Sequence, residues 1–525
     1  MNSLLFLLLT YSGLAGGLFA FKKSVEKLYP PNIALPTPAY SMRDGIDFEP
    51  VDINVAMGHY FMSIAGAAPI VAAIQGMMWG WLPATLYLLL AVTFLGAPSE
   101  YMQLMFSIRN KAGALGTVCR QKIGMSSGTY INIIMLFVCA LTFAVMGNLF
   151  TTSLANTPTA AVPTLSLIPI AVLFGFLRNR VKLSSLLATV ISLLLWAGTI
   201  ILGLDVPIVL SATGWAWVIS IYVVVACFVP VHWLLAPRDY LNSFILVIGL
   251  LVGTVAVFVG RPDFSMPAFT SWETARGYLY PGIIATIGCG AINGMHAIIS
   301  MGTTPKMVKN EKDSYWITAI GTRGETIIGF LSIALIASAY GLEDFLGKAV
   351  AAPGPAFTQA LGNAYTNLGF SESVGMVFGT LIITGFIITT IDSYARTGRI
   401  ILKELTQDTK AKIFANPVVG SFVVTAIGLF LLLSTPFGEL WSGFALIAIQ
   451  LTIYCYSLAL LKRIEDKEKF NGHFTAWVIV PGAFMTLTTC IALVMYFVRY
   501  MWELRLWASC VSSHLCSALK NSAES

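Results

Sequence analysis

The chain has 525 residues, of which 57% are hydrophobic and only 11% charged, with a mean hydropathy of +0.79. An average soluble domain carries about 25% charged residues, so the composition excludes a soluble enzyme and describes an all-α polytopic membrane protein. The net charge of +6 sits in short clusters between apolar runs, which marks topology rather than a nucleic-acid face.

The first apolar run, 4–21, is followed directly by Lys22 and Lys23. A secretory signal places its positive charge ahead of the run, so this stretch reads as an uncleaved first span. A polar connection, 22–55, leads into Gly58 to Gly80, GHYFMSIAGAAPIVAAIQGMMWG, which Gly66 and Pro69 interrupt. A helix in lipid must satisfy its backbone internally, so residues that forgo helical hydrogen bonds at mid-membrane predict a discontinuous helix at a transport site. Further runs lie near 82–107, 130–152, 161–178, 183–204, 215–236, 239–259, 279–301, 314–340, 372–392, 417–434, 438–461 and 475–498, which predicts about fourteen spans. Of the 31 Lys and Arg, 24 fall in alternate loops, among them RNRVK (178–182) and KRIEDKEK (462–469). Those loops are therefore expected in the cytoplasm and both termini outside. Arg238, in LLAPRDYL, is the lone positive charge of its loop; the largest outside connection is 341–371, and 499–525 is a polar tail. No P-loop is present, so energy is expected from an ion or substrate gradient. The eight cysteines lack metal-type spacing and read as free thiols, except that Cys510 and Cys516 can pair if the tail is extracytoplasmic. No cofactor is expected.

Three other segments carry the same signature of Gly or Pro beside polar groups: FLGAPSEYMQL (94–104), CFVPVHWLLAPRDYL (227–241, with His232) and TIGCGAINGMHAIISMGTTP (286–305). Small residues alone also serve helix packing, but not their clustering with hydroxyl, amide and imidazole groups. Ionisable groups inside spans are costly and face the protein interior or a water cavity; here they are His59, Glu100, His296, Arg323, Glu325 and Asp392. His59, Glu100, His296, Glu325 and Asp392 are the candidates for a coupling or proton relay. The bland alternative is that each imidazole donates to a backbone carbonyl. Arg323 and Glu325, two apart, lie on different helix faces, so Arg323 is expected to meet Glu100, Asp392 or a substrate carboxylate. The substrate is placed at the unwound backbone of Ser63, Ile64, Ala65, Gly66, Ala67 and Ala68, with Asn293, Ser300 and Thr303 as neighbours. The half-helix that starts there presents free N–H groups to a carboxylate. Tryptophans at span ends (Trp79, Trp81, Trp215, Trp217, Trp316, Trp441, Trp477) predict an interfacial belt. No convergent catalytic set is present, so no enzyme is expected.

The stretches 58–84, LAPRDYLNSF (235–244), ATIGCGAINGMHAIISMGTTPKM (285–307) and TTIDSYARTGR (389–399) resemble the carbon starvation protein A (CstA) family of bacterial inner-membrane transporters. The resemblance implies import of short peptides or pyruvate, with protons, during carbon limitation. It also implies a LeuT-like core of two inverted five-helix repeats with discontinuous helices. The matching division is 1–55 ahead of the core, 56–204 as repeat one, 205–400 as repeat two, 401–498 as three added spans, and the tail 499–525. The chain departs from the family at Tyr60, where a second His is usual, at Ala68, where a second Gly is usual, in GAPSEYM (96–102), with Glu100 at the acidic position, and at His232, where Trp is usual. A membrane nutrient sensor with little flux is the second reading; it calls for a cytoplasmic output domain, for which 22–55 is short.

Overall fold

Apolar runs of this length can bury their backbone only as helices, and helices are what the computed structural model contains. It describes all residues except 45–47, 230–234, 291, 293–295, 407–408 and 499–525. Among the described residues, eleven helices are long and apolar enough to cross a membrane, and one bent pair makes a twelfth. The chain is thus a multi-pass membrane protein.

α1 (Ser3–Ala20) starts at Asn2, whose side chain accepts the Leu4 N–H at 3.0 Å. α2 (Ile53–Ile64) and α3 (Ala68–Gly76, extended to Trp79 by a 3-10 turn) form the bent pair. α4 (Trp81–Arg109) carries a π-turn at Val92–Gly96, just ahead of Pro98. A proline supplies no N–H and crowds the preceding turn, and the wider turn absorbs the misfit. There follow α5 (Leu115–Lys122), α6 (Met125–Asn156), α7 (Ala161–Asn179), α8 (Ser185–Asp205), α9 (Ala212–Phe228) and α10 (Leu235–Gly260). A two-stranded hairpin pairs Glu273 with Tyr278 and leads into α11 (Leu279–Ile287), a Gly288–Gly290 turn and α12 (His296–Ser300). α13 (Ser314–Ala339), α14 (Pro353–Tyr365), α15 (Glu372–Thr406), α16 (Pro417–Ser434), α17 (Phe437–Glu465) and α18 (Gly472–Val498) complete the order.

The expected fourteen spans are therefore not all continuous helices. The run 279–301 is broken at its glycines, and α9 has 17 residues and ends at Phe228. Its cap, Val229, is extended (φ −76°, ψ 133°), the conformation that a following proline imposes.

α6, with 32 residues, and α15, with 35, are the longest helices and pack along each other as the scaffold. α5 lies on α6, and α14 lies on α15. α14 belongs to the expected outside connection 341–371, yet it buries Phe357, Leu361 and Tyr365 in the core. The tryptophan belt also needs correction. Trp217 is exposed, but Trp79, Trp215 and Trp441 are 0% exposed and fill gaps between helices. Cys119, Cys139, Cys227 and Cys455 are buried free thiols and Cys490 an exposed one; Cys510 and Cys516 lie outside the described residues.

Candidate functional site

The helix formed by α2 and α3 breaks at Ala65–Ala67, and the halves differ in direction by 52°. Ala65 leaves helical geometry (φ −78°, ψ 53°), and the Gly66 N–H turns back onto the Ile64 carbonyl at 2.9 Å. Pro69 then occupies the first turn of α3, where its missing N–H costs nothing. Among the described residues the Ala67 N–H has no acceptor. α3 is buried along its whole length. The break is hemmed in: a Cβ on Gly66 would lie 3.0 Å from Thr390 Oγ1 of α15, and one on Gly321 would lie 2.5 Å from Tyr60 Cδ1. Gly66→Ala is expected to destabilise the protein by about 1 kcal/mol, since Thr390 must shift by a few tenths of an ångström; a thermal melt in detergent checks this.

Beside the break, four elements converge on one buried cluster. The π-turn and Pro98 set Glu100 in the inner face of α4, His296 opens α12, Glu325 comes from mid-α13 and Tyr60 from α2. His296 Nδ1 lies 2.5 Å from Glu100 Oε1, and the Tyr60 hydroxyl donates to Glu100 Oε2. On the far side of the ring, Nε2 lies 3.4 Å from Glu325 Oε2, outside hydrogen-bonding geometry, and neither oxygen of Glu325 has a donor. Ser300 Oγ is 2.5 Å from Gln103 Oε1 and 2.6 Å from the His296 carbonyl, which locks the single turn of α12. Buried polar groups are almost always hydrogen-bonded, so Nε2 and the Glu325 carboxyl, which meet only as a loose ion-pair contact, stand out in this cluster. The arrangement gathers two carboxyls and an imidazole, all titratable, into one buried set of contacts.

A second buried cluster centres on Arg238. Arg238 Nη1 lies 2.6 Å from Asp392 Oδ2 and also donates to Tyr222, and Arg238 Nη2 lies 2.6 Å from Asp239 Oδ1. The Thr389 hydroxyl donates to Asp239 at 2.9 Å. Arg238 was expected in a cytoplasmic loop; it instead lies in the first turn of α10, fully buried.

The structure thus brings Glu100, His296, Glu325 and Ser300 together, and sends Asp392 to Arg238. His59 stands apart, with Nε2 3.3 Å from Thr303 Oγ1. Ser63 is half-buried; Ile64, Ala65, Gly66, Ala67 and Ala68 are buried at the break, and Asn293, like His232, lies outside the described residues. Arg323 meets neither Glu100 nor Asp392: it donates to the carbonyls of Leu14 (3.3 Å) and Ala319 (3.1 Å), because its helix face is turned toward α1. Gln103, Tyr222 and Thr389 are not among the sequence-predicted site residues; Tyr60 is named there only as a departure from the family and Arg238 only as a lone loop charge. Gln103 had a signal, three residues after Glu100 on the same face. So did Arg238, whose isolation in its loop was the weak point of the charge alternation.

Among the described residues no group of three or more His, Cys, Asp and Glu is set to hold a metal ion. An apolar cavity of about 380 Å³ opens between α4 and α11, lined by Leu86, Tyr87, Trp272 and Ile283, away from both clusters.

The family profile described as carbon starvation protein CstA matches residues 2–354 and 340–492. A peptide transporter CstA of Bacillus subtilis is 28% identical over 506 residues, covering 86% of this chain and 83% of the relative. The pyruvate/proton symporter BtsT of Escherichia coli is 31% identical over 339 residues, 60% of this chain and 46% of the relative. The peptide transporter CstA of Escherichia coli is 32% identical over 320 residues, 58% and 45%. The matches therefore span less than half the length of the two Escherichia coli proteins.

Proposed function

This chain belongs to the carbon starvation protein CstA family, and from that premise we propose that it is a secondary transporter of the bacterial inner membrane. It imports small carboxylate-bearing nutrients, short peptides or pyruvate, together with protons, as part of the response to carbon starvation. The observation that supports this reading is the buried Glu100–His296–Glu325 set beside a broken helix, three titratable groups next to freed backbone. The Ala67 N–H, at the start of α3, points the positive end of a half-helix toward a substrate carboxylate. The juxtaposition supports ionic coupling: α2, which ends at the break, also carries the Tyr60 that donates to Glu100.

The proposed core is a pair of inverted repeats, and the helix order supports a division later than the one expected at 205–400. Broken pair, second span, short connecting helix, longest helix and two further spans occur as α2/α3, α4, α5, α6, α7, α8. They recur as α11/α12, α13, α14, α15, α16, α17. Repeat two then begins at 279, and α9 and α10 lie between the repeats.

Uptake of labelled pyruvate and of a labelled dipeptide into vesicles, with and without an imposed proton gradient, tests the reading. Gradient-driven accumulation of at least one is expected. Entry of neither sinks the transporter reading, and entry indifferent to the gradient removes the coupling.

A further inference from the structure

We propose that Arg238 is the cation that receives the substrate's carboxylate, and that Asp239 is a resident anion holding the guanidinium until substrate arrives. The inference rests on the transporter reading above and adds to it the residue that recognises the carboxylate.

Arg238 is 1% exposed, and each of its three guanidinium nitrogens has a partner. Beyond the two ion pairs and Tyr222, Nε reaches Asp239 Oδ1 at 3.2 Å and Nη2 reaches Thr389 Oγ1 at 3.5 Å. The two carboxylates are not equivalent. Asp392 is 0% exposed, fixed on the scaffold helix α15 and shared with Tyr222 at 3.1 Å. Asp239 is 24% exposed, and both Nε and Nη2 converge on its single oxygen Oδ1. A guanidinium edge matches two oxygens of one carboxylate, so this edge is held by a partner that leaves half the match unmade. An incoming carboxylate completes it.

The position fits the same role. Thr389, which donates to Asp239, precedes Thr390, whose Oγ1 would lie 3.0 Å from a Cβ placed on Gly66 at the break. Arg323, the other guanidinium deep in the helices, faces the carbonyls of α1 and α13 instead. Exchanging Asp239 for a substrate carboxylate swaps one anion for another against the same cation. No buried charge is left unpaired, which is the condition that otherwise makes breaking such a pair costly. Asp239, being partly exposed, turns its charge to water.

The test uses the purified full-length protein in lipid nanodiscs, with pyruvate and a dipeptide as titrants in calorimetry. Asp239→Asn removes the competing anion and is expected to tighten binding of whichever titrant the wild type binds, by about 3- to 10-fold. Arg238→Gln is expected to weaken it at least about 10-fold. Because that change strands Asp392, the double variant Arg238→Gln/Asp392→Asn is measured beside it, and a thermal melt identifies the variants that fold. Methyl pyruvate, which lacks the charge, is expected to be indifferent to the arginine. If folded Asp239→Asn binds no more tightly than the wild type, or the folded double variant binds as well as the wild type, this inference is overturned and the transporter reading stands. A wild type that binds neither titrant removes both.

Discussion

Glu325→Gln is expected to abolish gradient-driven accumulation while leaving exchange of labelled for unlabelled substrate intact. The reasoning is local. Glu325 is buried, its oxygens have no donor among the described residues, and His296 Nε2 lies 3.4 Å away. Glutamine keeps the volume and offers that nitrogen a neutral partner, so packing of α13 against α4 survives. What it cannot do is carry a proton. Exchange needs only that the loaded site alternate between the two sides of the membrane; accumulation needs the coupled proton. Wild-type accumulation in the variant would remove Glu325 from the coupling path, whereas loss of both exchange and folding would mark it as structural. Glu100 is held by both Tyr60 and His296, so Glu100→Gln perturbs packing as well and separates these roles less cleanly.

Gly80→Ala is expected to have the largest effect on stability, a loss of about 2–5 kcal/mol. Gly80 joins the broken helix to α4 with φ +109° and ψ 156°, a region that side-chain-bearing residues rarely occupy. A Cβ there would lie 2.3 Å from the Ala268 carbonyl oxygen and 2.6 Å from Phe269 Cα. Both are backbone atoms, so no side-chain rotation relieves the clash, and the Leu82 N–H bond to the Ala268 carbonyl (3.0 Å) goes with it. The contrast is Gly76→Ala, whose Cβ would lie 2.1 Å from Cδ1 and 2.4 Å from Cγ1 of the buried Ile287, side-chain atoms rather than backbone, at a position with no positive φ. Thermal melts in one detergent, run side by side, are expected to rank Gly80→Ala well below Gly76→Ala; equal melts would contradict this account of the corner.

The break in the helix was legible in the sequence because Gly66 and Pro69 act locally: whatever packs around them, one lacks a Cβ and the other an N–H. The expected unwinding at Ser63–Ala68 and the observed one at Ala65–Ala67 therefore agree to within a residue or two at either end. Glu100, His296 and Glu325 were legible one at a time, since each charge in an apolar run is costly, but their meeting was not. That depends on how α4, α12 and α13 cross, which no local pattern encodes. Arg238 was misread for a related reason. Charge next to Pro237 and Asp239 has the composition of a loop, and only the tertiary placement of Asp392 and Tyr222 makes a buried helix start tolerable there. α14 escaped because PGPAFTQALGNAY is too short and too polar to stand out as a span. Its burial comes from lying on α15.

The central claim is that the Glu100–His296–Glu325 cluster exchanges the proton that drives import. The direct measurement is proton entry into proteoliposomes loaded with a pH-sensitive dye, on addition of pyruvate or a dipeptide outside. Internal acidification that depends on substrate is predicted for the wild type and its absence for Glu325→Gln. Acidification of the same size in both, or substrate entry with no acidification in the wild type, would contradict it.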